Sequence, residues 1–384
     1  LDHPNEFKVV AVAEPDPERR EVFSKKHNIP QEMQFESYKE ILKRGKPFFI
    51  ADIAANHDGD LERAYKLIEL AKEAGADVAK FQNFNAKTIV SKKGFETLGK
   101  QLSHQANWKK SVYEVYEDAS INPDWTELLK RKCDEVGIEY MTSPYDYASV
   151  DLVDPYVNAY KIGSGDITWT EILKYILSKN KPILLATGAS SMEDVDRAMD
   201  ILKENQNIVL MQCNTNYTAS TENFKYINLN VLKKYEEKYP NAILGLSDHT
   251  KGFSTVLGAI ALGAVVIEKH FTDDNDREGP DHKFAMNPKT WREMVDASLE
   301  LYYSLGDGNK RIEKNEEDTA MVQRRGIYVT KSLKAGHILS KEDLIALRPI
   351  KIDGIQPYEI DLLLGKKLTK NIESDSHLTW KDVE

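Results

Sequence analysis

Two histidines stand where chemistry is easiest to place. His249 lies in GLSDHT (245–250) and His270 in VIEKHFT (266–272), each at the polar end of a short apolar run, Ala242–Leu246 and Val265–Ile267. Between them STVLGAIALGA (254–264) is small, apolar and of helical length. Strand, helix, strand is a βαβ unit, and a right-handed parallel crossover sets both strand ends on one side. Two imidazoles converging there suit a divalent transition metal, with carboxylates or substrate oxygens completing the shell. Two capped histidines without a metal are the plain alternative.

Other polar residues end other apolar runs. FFIADIA (48–54) brings Asp52, with Asn56 and His57 just beyond it; DVAKFQNF (77–84) brings Lys80 and Gln82. EYMTSP (139–144) ends in Thr142 and Ser143, and AYKIGSGD (159–166) carries Lys161, Ser164 and Asp166. PILLATG (182–188) ends at Thr187 and Gly188, and IVLMQCN (208–214) leads into Asn214, Thr215, Asn216 and Tyr217. The two histidine segments add Ser247, Asp248, Glu268 and Lys269. A buried ammonium without an anion is costly. Inward lysines at 80 and 161 therefore predict a bound phosphate or carboxylate, with nearby serines and threonines for its remaining oxygens. The chemistry so read is an anion pocket beside a two-histidine metal.

Elements able to position such a set are eight repeated βα units from Pro47 to about residue 306, which over roughly 250 residues fit a (β/α)8 barrel. Its chemistry lies at the C-terminal strand ends, where these residues fall. An insertion at 85–122 is expected over one end. Residues 307–322 are polar and charged, a linker or an exposed helix. Residues 323–384 read as short strands and turns, a small β-rich domain close to the lower size limit for folding alone. Residues 1–46 differ: strand, acidic turn and helix suggest a partial nucleotide-binding-fold (Rossmann-like) remnant, with Glu14 or Asp16 at a strand end. The phosphate-binding glycine motif that would precede it is not in the chain, so no cofactor is assigned there. The class is thus α/β.

Composition narrows the function. The chain has 384 residues, 41% hydrophobic, with a formal net charge of −10. That balance, with no long basic run, argues against nucleic-acid binding. No apolar run reaches transmembrane length and no signal peptide opens the chain. The chain begins at Leu1 rather than Met, which predicts an N-terminus lying further upstream. Cys133 and Cys213 form no metal-spaced pair and no evident disulfide framework, consistent with the cytoplasm.

The motifs IADIAANHDGD (50–60), AKFQ (79–82), TSP (142–144), YKIGSGD (160–166), GLSDHT, EKHFT and GPDH (279–282) closely resemble the sialic acid (N-acetylneuraminate) synthase family. The likeness covers about 47–384, and the C-terminal region resembles that family's antifreeze-like (SAF) domain. The resemblance implies a transferase that condenses phosphoenolpyruvate with an N-acetylated amino sugar, releasing phosphate by C–O cleavage. It implies manganese or magnesium on His249 and His270. Phosphoenolpyruvate would be held by Lys80, Ser143, Lys161, Ser164 and Ser247, and the sugar by Gln82, Tyr217 and Asp281. Arg348 would reach the sugar from a second subunit of a domain-swapped homodimer.

The chain departs from the family pattern at several points. Aspartate replaces the usual glutamate at Asp52 and Asp166, and alanine stands at Ala54 where glycine is common and at Ala186 where serine is. Asp166 is expected to move a proton or stabilise a cationic centre, unless it merely caps the following helix. Asp52 is expected to orient water or contact the metal, unless it merely bonds to nearby backbone. Lys161 is expected to stabilise developing charge. His57 is as readily a loop-fixing residue as a catalytic one, and His282 is either a third metal ligand or part of a substrate loop. Competing readings are a metal-dependent pyruvate aldolase and a non-catalytic carbohydrate-binding protein.

Overall fold

A computed structural model describes residues 46–384, except 99, 102–104, 107 and 206, together with 12–13, 21, 25 and 34–35. It divides into two compact units, Leu1–Gly306 and Asp307–Glu384.

The first unit contains eight strands in one sheet: β1 (Phe48–Asp52), β2 (Val78–Asn83), β3 (Glu139–Pro144), β4 (Tyr160–Ile162), β5 (Ile183–Ala186), β6 (Ile208–Cys213), β7 (Ile243–Asp248) and β8 (Val266–His270). Every ladder is parallel, in the order β3-β2-β1-β8-β7-β6-β5-β4, and β3 and β4 come side by side to complete the ring. This is the (β/α)8 barrel expected from the repeated units. The strands are apolar on both faces because both are covered. Outward residues such as Phe49, Ala79, Tyr140 and Ile267 pack under the helices. Inward residues Ile50, Val78, Met141, Leu184, Val209 and Val266 fill the lower barrel as a separate plug. Because the side-chain period is two, the same inward rows continue upward as Asp52 on β1, Lys80 and Gln82 on β2, Ser143 on β3, and Glu268 and His270 on β8. Chain direction thus places an apolar floor below and a polar ceiling above.

Helices follow the same logic. Leu61–Glu73 buries Ala64, Leu67, Ile68 and Ala71, the i, i+3, i+4, i+7 stripe of an amphipathic helix, and the Asp60 carboxylate caps it by accepting from the Glu62 and Arg63 N–H groups. Full burial of Leu67 and Ile68 contributes about 1.5–3 kcal/mol each. Gly245 lets β7 lie close to β8, since a Cβ there would sit 2.9 Å from the Val266 carbonyl oxygen. The insertion carries helices Ala86–Ile89, Lys92–Thr97 and Val112–Ala119.

The segment expected as a linker or an exposed helix contains a helix, Glu317–Gln323. Beyond it β9 (Gly326–Val329) and β10 (Leu344–Leu347) pair antiparallel, and isolated bridges tie the remaining turns. Ile327, Val329, Leu333, Leu344, Leu368 and Leu378 belong to this unit's own core. Near the N-terminus, Val12–Ala13 and Gln34–Phe35 pair as parallel two-residue strands. The rest of the expected nucleotide-binding remnant, with Glu14 and Asp16, lies outside the described residues. Among those residues no helix is long and apolar enough to cross a membrane.

Candidate active site

Polar side chains converge at the C-terminal rim of the barrel. Lys80 Nζ lies 2.7 Å from Asp52 Oδ2, and Lys161 Nζ lies 3.0 Å from Glu268 Oε1. The same Glu268 oxygen is 3.9 Å from Lys80 and accepts from Ser247 Oγ at 3.1 Å. His270 Nε2 stands 3.5 Å from Asp52 Oδ2, and the His249 and His270 ring centroids are 5.3 Å apart. Both lysines and both histidines therefore share one cavity, all of them buried.

The anions expected to meet the lysines are, in this structure, the protein's own carboxylates. Glu268 bridges them. Burial opposes its charge, but Lys161 and Lys80 outweigh burial and bring its pKa down to about 2. Burial dominates at Asp52 and raises its pKa despite Lys80. Burial also works against charge on Lys80, yet Asp52 and Glu268 raise its pKa and keep it protonated. Asp52 does bond to nearby backbone, accepting from the Ala54 N–H at 3.1 Å, and it contacts Lys80 as well.

Both imidazoles are held neutral. Burial, with the neighbouring His270, brings the His249 pKa down to about 3; burial, with Lys80, brings His270 to about 3. His249 Nδ1 lies 2.8 Å from the Asn214 carbonyl oxygen, so its proton belongs there and Nε2 keeps a lone pair. His270 Nδ1 is buried without a hydrogen-bond partner. Two neutral imidazoles with free lone pairs fit a divalent cation. Among the described residues no three His, Cys, Asp or Glu side chains are arranged to ligate one ion, so an ion here would draw its other ligands from substrate or water.

The remaining residues surround this core. Ser143 Oγ is buried without a hydrogen-bond partner, in register with Gln82, whose Nε2 lies 3.4 Å from Asp52 Oδ2. Ser164 Oγ accepts from the Gly188 N–H at 2.8 Å. The Tyr217 ring lies 4.2 Å from that of His249. Asp281 takes a hydrogen bond from the Ala55 backbone, and its Oδ2 is 3.8 Å from His270 Nδ1; burial, reinforced by Asp52, lifts its pKa to about 7. Asp166 sits on the turn Ser164–Asp166, where burial raises it to about 6. Helix Thr170–Leu177 starts at Trp169 without a side-chain cap, so Asp166 does not cap it. Arg348 is exposed in the second unit, on the turn after β10. Above the core opens a cleft of about 920 Å³, lined by Trp108 and Lys109 of the insertion and by Tyr217, Arg277 and Pro280.

Two readings of single residues are decided by geometry. His57 Nδ1 accepts from the Gly59 N–H at 3.0 Å and the ring packs edge-on against Trp125, which makes it a loop-fixing residue. His282 has both nitrogens engaged, with Thr272 Oγ1 at 2.7 Å and Asp58 Oδ1 at 2.9 Å, so it is not a metal ligand. Sequence reasoning gave no role to Glu268, although two inward lysines demand such an acid. It also missed Phe284, whose ring lies 4.9 Å from that of His270 and 5.8 Å from that of His249; a lone phenylalanine in a loop carries no signal.

Comparison with known proteins agrees with this geometry. N,N'-diacetyllegionaminic acid synthase of Legionella pneumophila subsp. pneumophila is 35% identical over 346 residues, 88% of this chain and 94% of that protein. Human N-acetylneuraminate-9-phosphate synthase is 30% identical over 339 residues, covering 88% and 92%. The crystal structure of N-acetylneuraminic acid synthetase from Leptospira borgpetersenii serovar Hardjo-bovis superposes with a TM-score of 0.63 at 26% identity, covering 72% of this chain and 90% of that one. Residues 324–384 match the SAF domain. Residues 67–310 match the NeuB family, and with relatives of this similarity and coverage the chain belongs to that family of synthase enzymes.

Proposed function

We propose that the protein is a nonulosonic (sialic-type) acid synthase that condenses phosphoenolpyruvate with an N-acetylated amino sugar and releases phosphate by C–O cleavage. The observation that carries this reading is the single cavity in which Glu268 joins Lys80 and Lys161 beside two neutral imidazoles. The names of the relatives, which include legionaminic, pseudaminic and N-acetylneuraminate-phosphate synthases, support it.

Lys80 and Lys161, with Ser143, Ser164 and Ser247, hold the phosphate and carboxylate of phosphoenolpyruvate. Gln82, Tyr217 and Asp281 receive the open-chain sugar from the cleft. Carbon three of phosphoenolpyruvate attacks the sugar aldehyde, water adds at carbon two, and phosphate departs with the bridging oxygen. A manganese or magnesium ion held by His249 and His270 would supply Lewis acidity toward the aldehyde oxygen. The lysines stabilise the charge on the departing phosphate. Asp166 exchanges a proton near the reacting centre, and Asp52 orients water. We further propose a domain-swapped homodimer in which Arg348 serves the partner's sugar site, and a cytoplasmic location in keeping with two buried free cysteines.

The test is phosphate release from phosphoenolpyruvate with a panel of acetamido sugars and manganese. With ¹⁸O in the bridging position, label is expected in phosphate; label in the sugar acid would remove the C–O cleavage step. His270→Ala is expected to stay folded by circular dichroism and to lose metal-dependent turnover. Full activity in that variant would refute the ligand assignment, and turnover of pyruvate without phosphate release would favour an aldolase.

A further inference from the structure

The loop between β8 and the helix Pro288–Leu305 is closed at its base by an isolated Phe271–Met286 bridge and is held beyond it by side chains. Its centre is His282, fully buried, with Thr272 Oγ1 2.7 Å from Nδ1 and Asp58 Oδ1 2.9 Å from Nε2. Asp58 comes from the far side of the barrel seam, on the loop after β1. There it adopts φ +53°, a left-handed conformation that aspartate tolerates better than most residues. Its second oxygen, Oδ2, accepts from Arg277 Nε at 2.7 Å and lies 3.1 Å from Arg63 Nε. Arg63 also donates to the Asn56 carbonyl at 2.8 Å and engages Asp273 with both terminal nitrogens. Asn275 Nδ2 donates to the carbonyls of His282 and Ala285. The approach is close: a Cβ on Gly279 would sit 2.7 Å from His282 Cδ2.

We propose that Asp58 and His282 are a positioning pair. They fasten loop 273–283 to the loop after β1 and so fix Asp281, the next residue, against His270 and the cleft. Thr272 and His282 are fully buried and do not line the cleft, whereas Asp58 does, so His282→Ala is the variant that acts through the loop alone. Breaking it releases Asp281 while leaving the lysines and Glu268, which sit on strands, in place. The effect therefore falls on the acceptor rather than on phosphoenolpyruvate. This last step rests on the sialic-type reading; the fastening itself does not.

The test is a cycle of Asp58→Ala, His282→Ala and the double variant, with Asp58→Asn as the conservative replacement that still accepts from Nε2. Amide hydrogen exchange of the ligand-free protein reads the fastening: residues 273–283 are expected to exchange about tenfold faster in either alanine variant, with little further gain in the double. Kinetics read the consequence: the acceptor KM is expected to rise about tenfold while the phosphoenolpyruvate KM changes less than about twofold, with Asp58→Asn recovering most of the loss. Unchanged exchange in 273–283, additive single effects, or faster exchange spread evenly over the barrel would overturn the proposal. If the unmodified protein turns over no acetamido sugar, the functional reading fails and exchange alone decides the fastening.

Discussion

Asp166 shows how one side chain ties the site to pH. Burial raises its pKa from the ordinary 3.8 to about 6. A group raised in the folded state contributes stability that is fully present below about pH 3.8 and is lost as pH rises through about 6. Above that pH an ionised carboxylate is held against burial. Asp166→Asn is accordingly expected to be more stable than the unmodified protein by about 1–3 kcal/mol at pH 8, with the gain gone by pH 4. Urea melts at the two pH values measure it, and a loss of stability at pH 8 would show that the carboxylate is needed structurally. In the rate profile, the acidic limb near pH 6 should vanish in the same variant together with most of kcat. The residue types of the site were legible from strand ends alone, but their pairing was not. Asp248 and Lys269 stood in the same polar clusters as His249 and His270, yet they face outward and pair with each other beside Thr250 and Thr255. Which of two adjacent polar residues points inward depends on register, and three polar residues in a row conceal it.

At the scale of elements, the end of β1 carries a local cost. Ala54 has φ +46°, where a side chain is disfavoured and glycine is favoured. Ala54→Gly is expected to raise stability by about 0.5–1 kcal/mol in a thermal or urea melt, with the Asp52–Lys80 contact retained. An unchanged or lower stability would mean that the turn is shaped by packing of the methyl group, which is almost fully buried. The barrel itself was readable because apolar runs, each ending in polar residues and alternating with amphipathic stripes, leave few other folds. The fastening between Asp58 and His282 was not readable. Its partners lie far apart in the chain, at NHDG and GPDH, and meet only because the first and eighth strands are neighbours.

At the scale of the whole molecule, the domain-swapped pairing proposed above has a direct consequence. A chain with His270→Ala has a dead barrel but a sound Arg348; a chain with Arg348→Ala has the reverse. Random exchange makes half of the dimers mixed, each with one of its two sites intact, so about a quarter of the wild-type activity should return on mixing. No recovery after verified subunit exchange would place Arg348 in service of its own barrel or of none. The two-unit division also explains why the C-terminal region could be read separately: it has its own apolar core. A final consequence follows from where β8 stands. It brings Glu268 and His270 together, between β1 at one edge and β7 at the other. Without this strand Lys80 keeps Asp52, but Lys161 has no carboxylate and His249 no second imidazole. The complete set of charged pairs and imidazoles is therefore present only once this strand lies between its two neighbours.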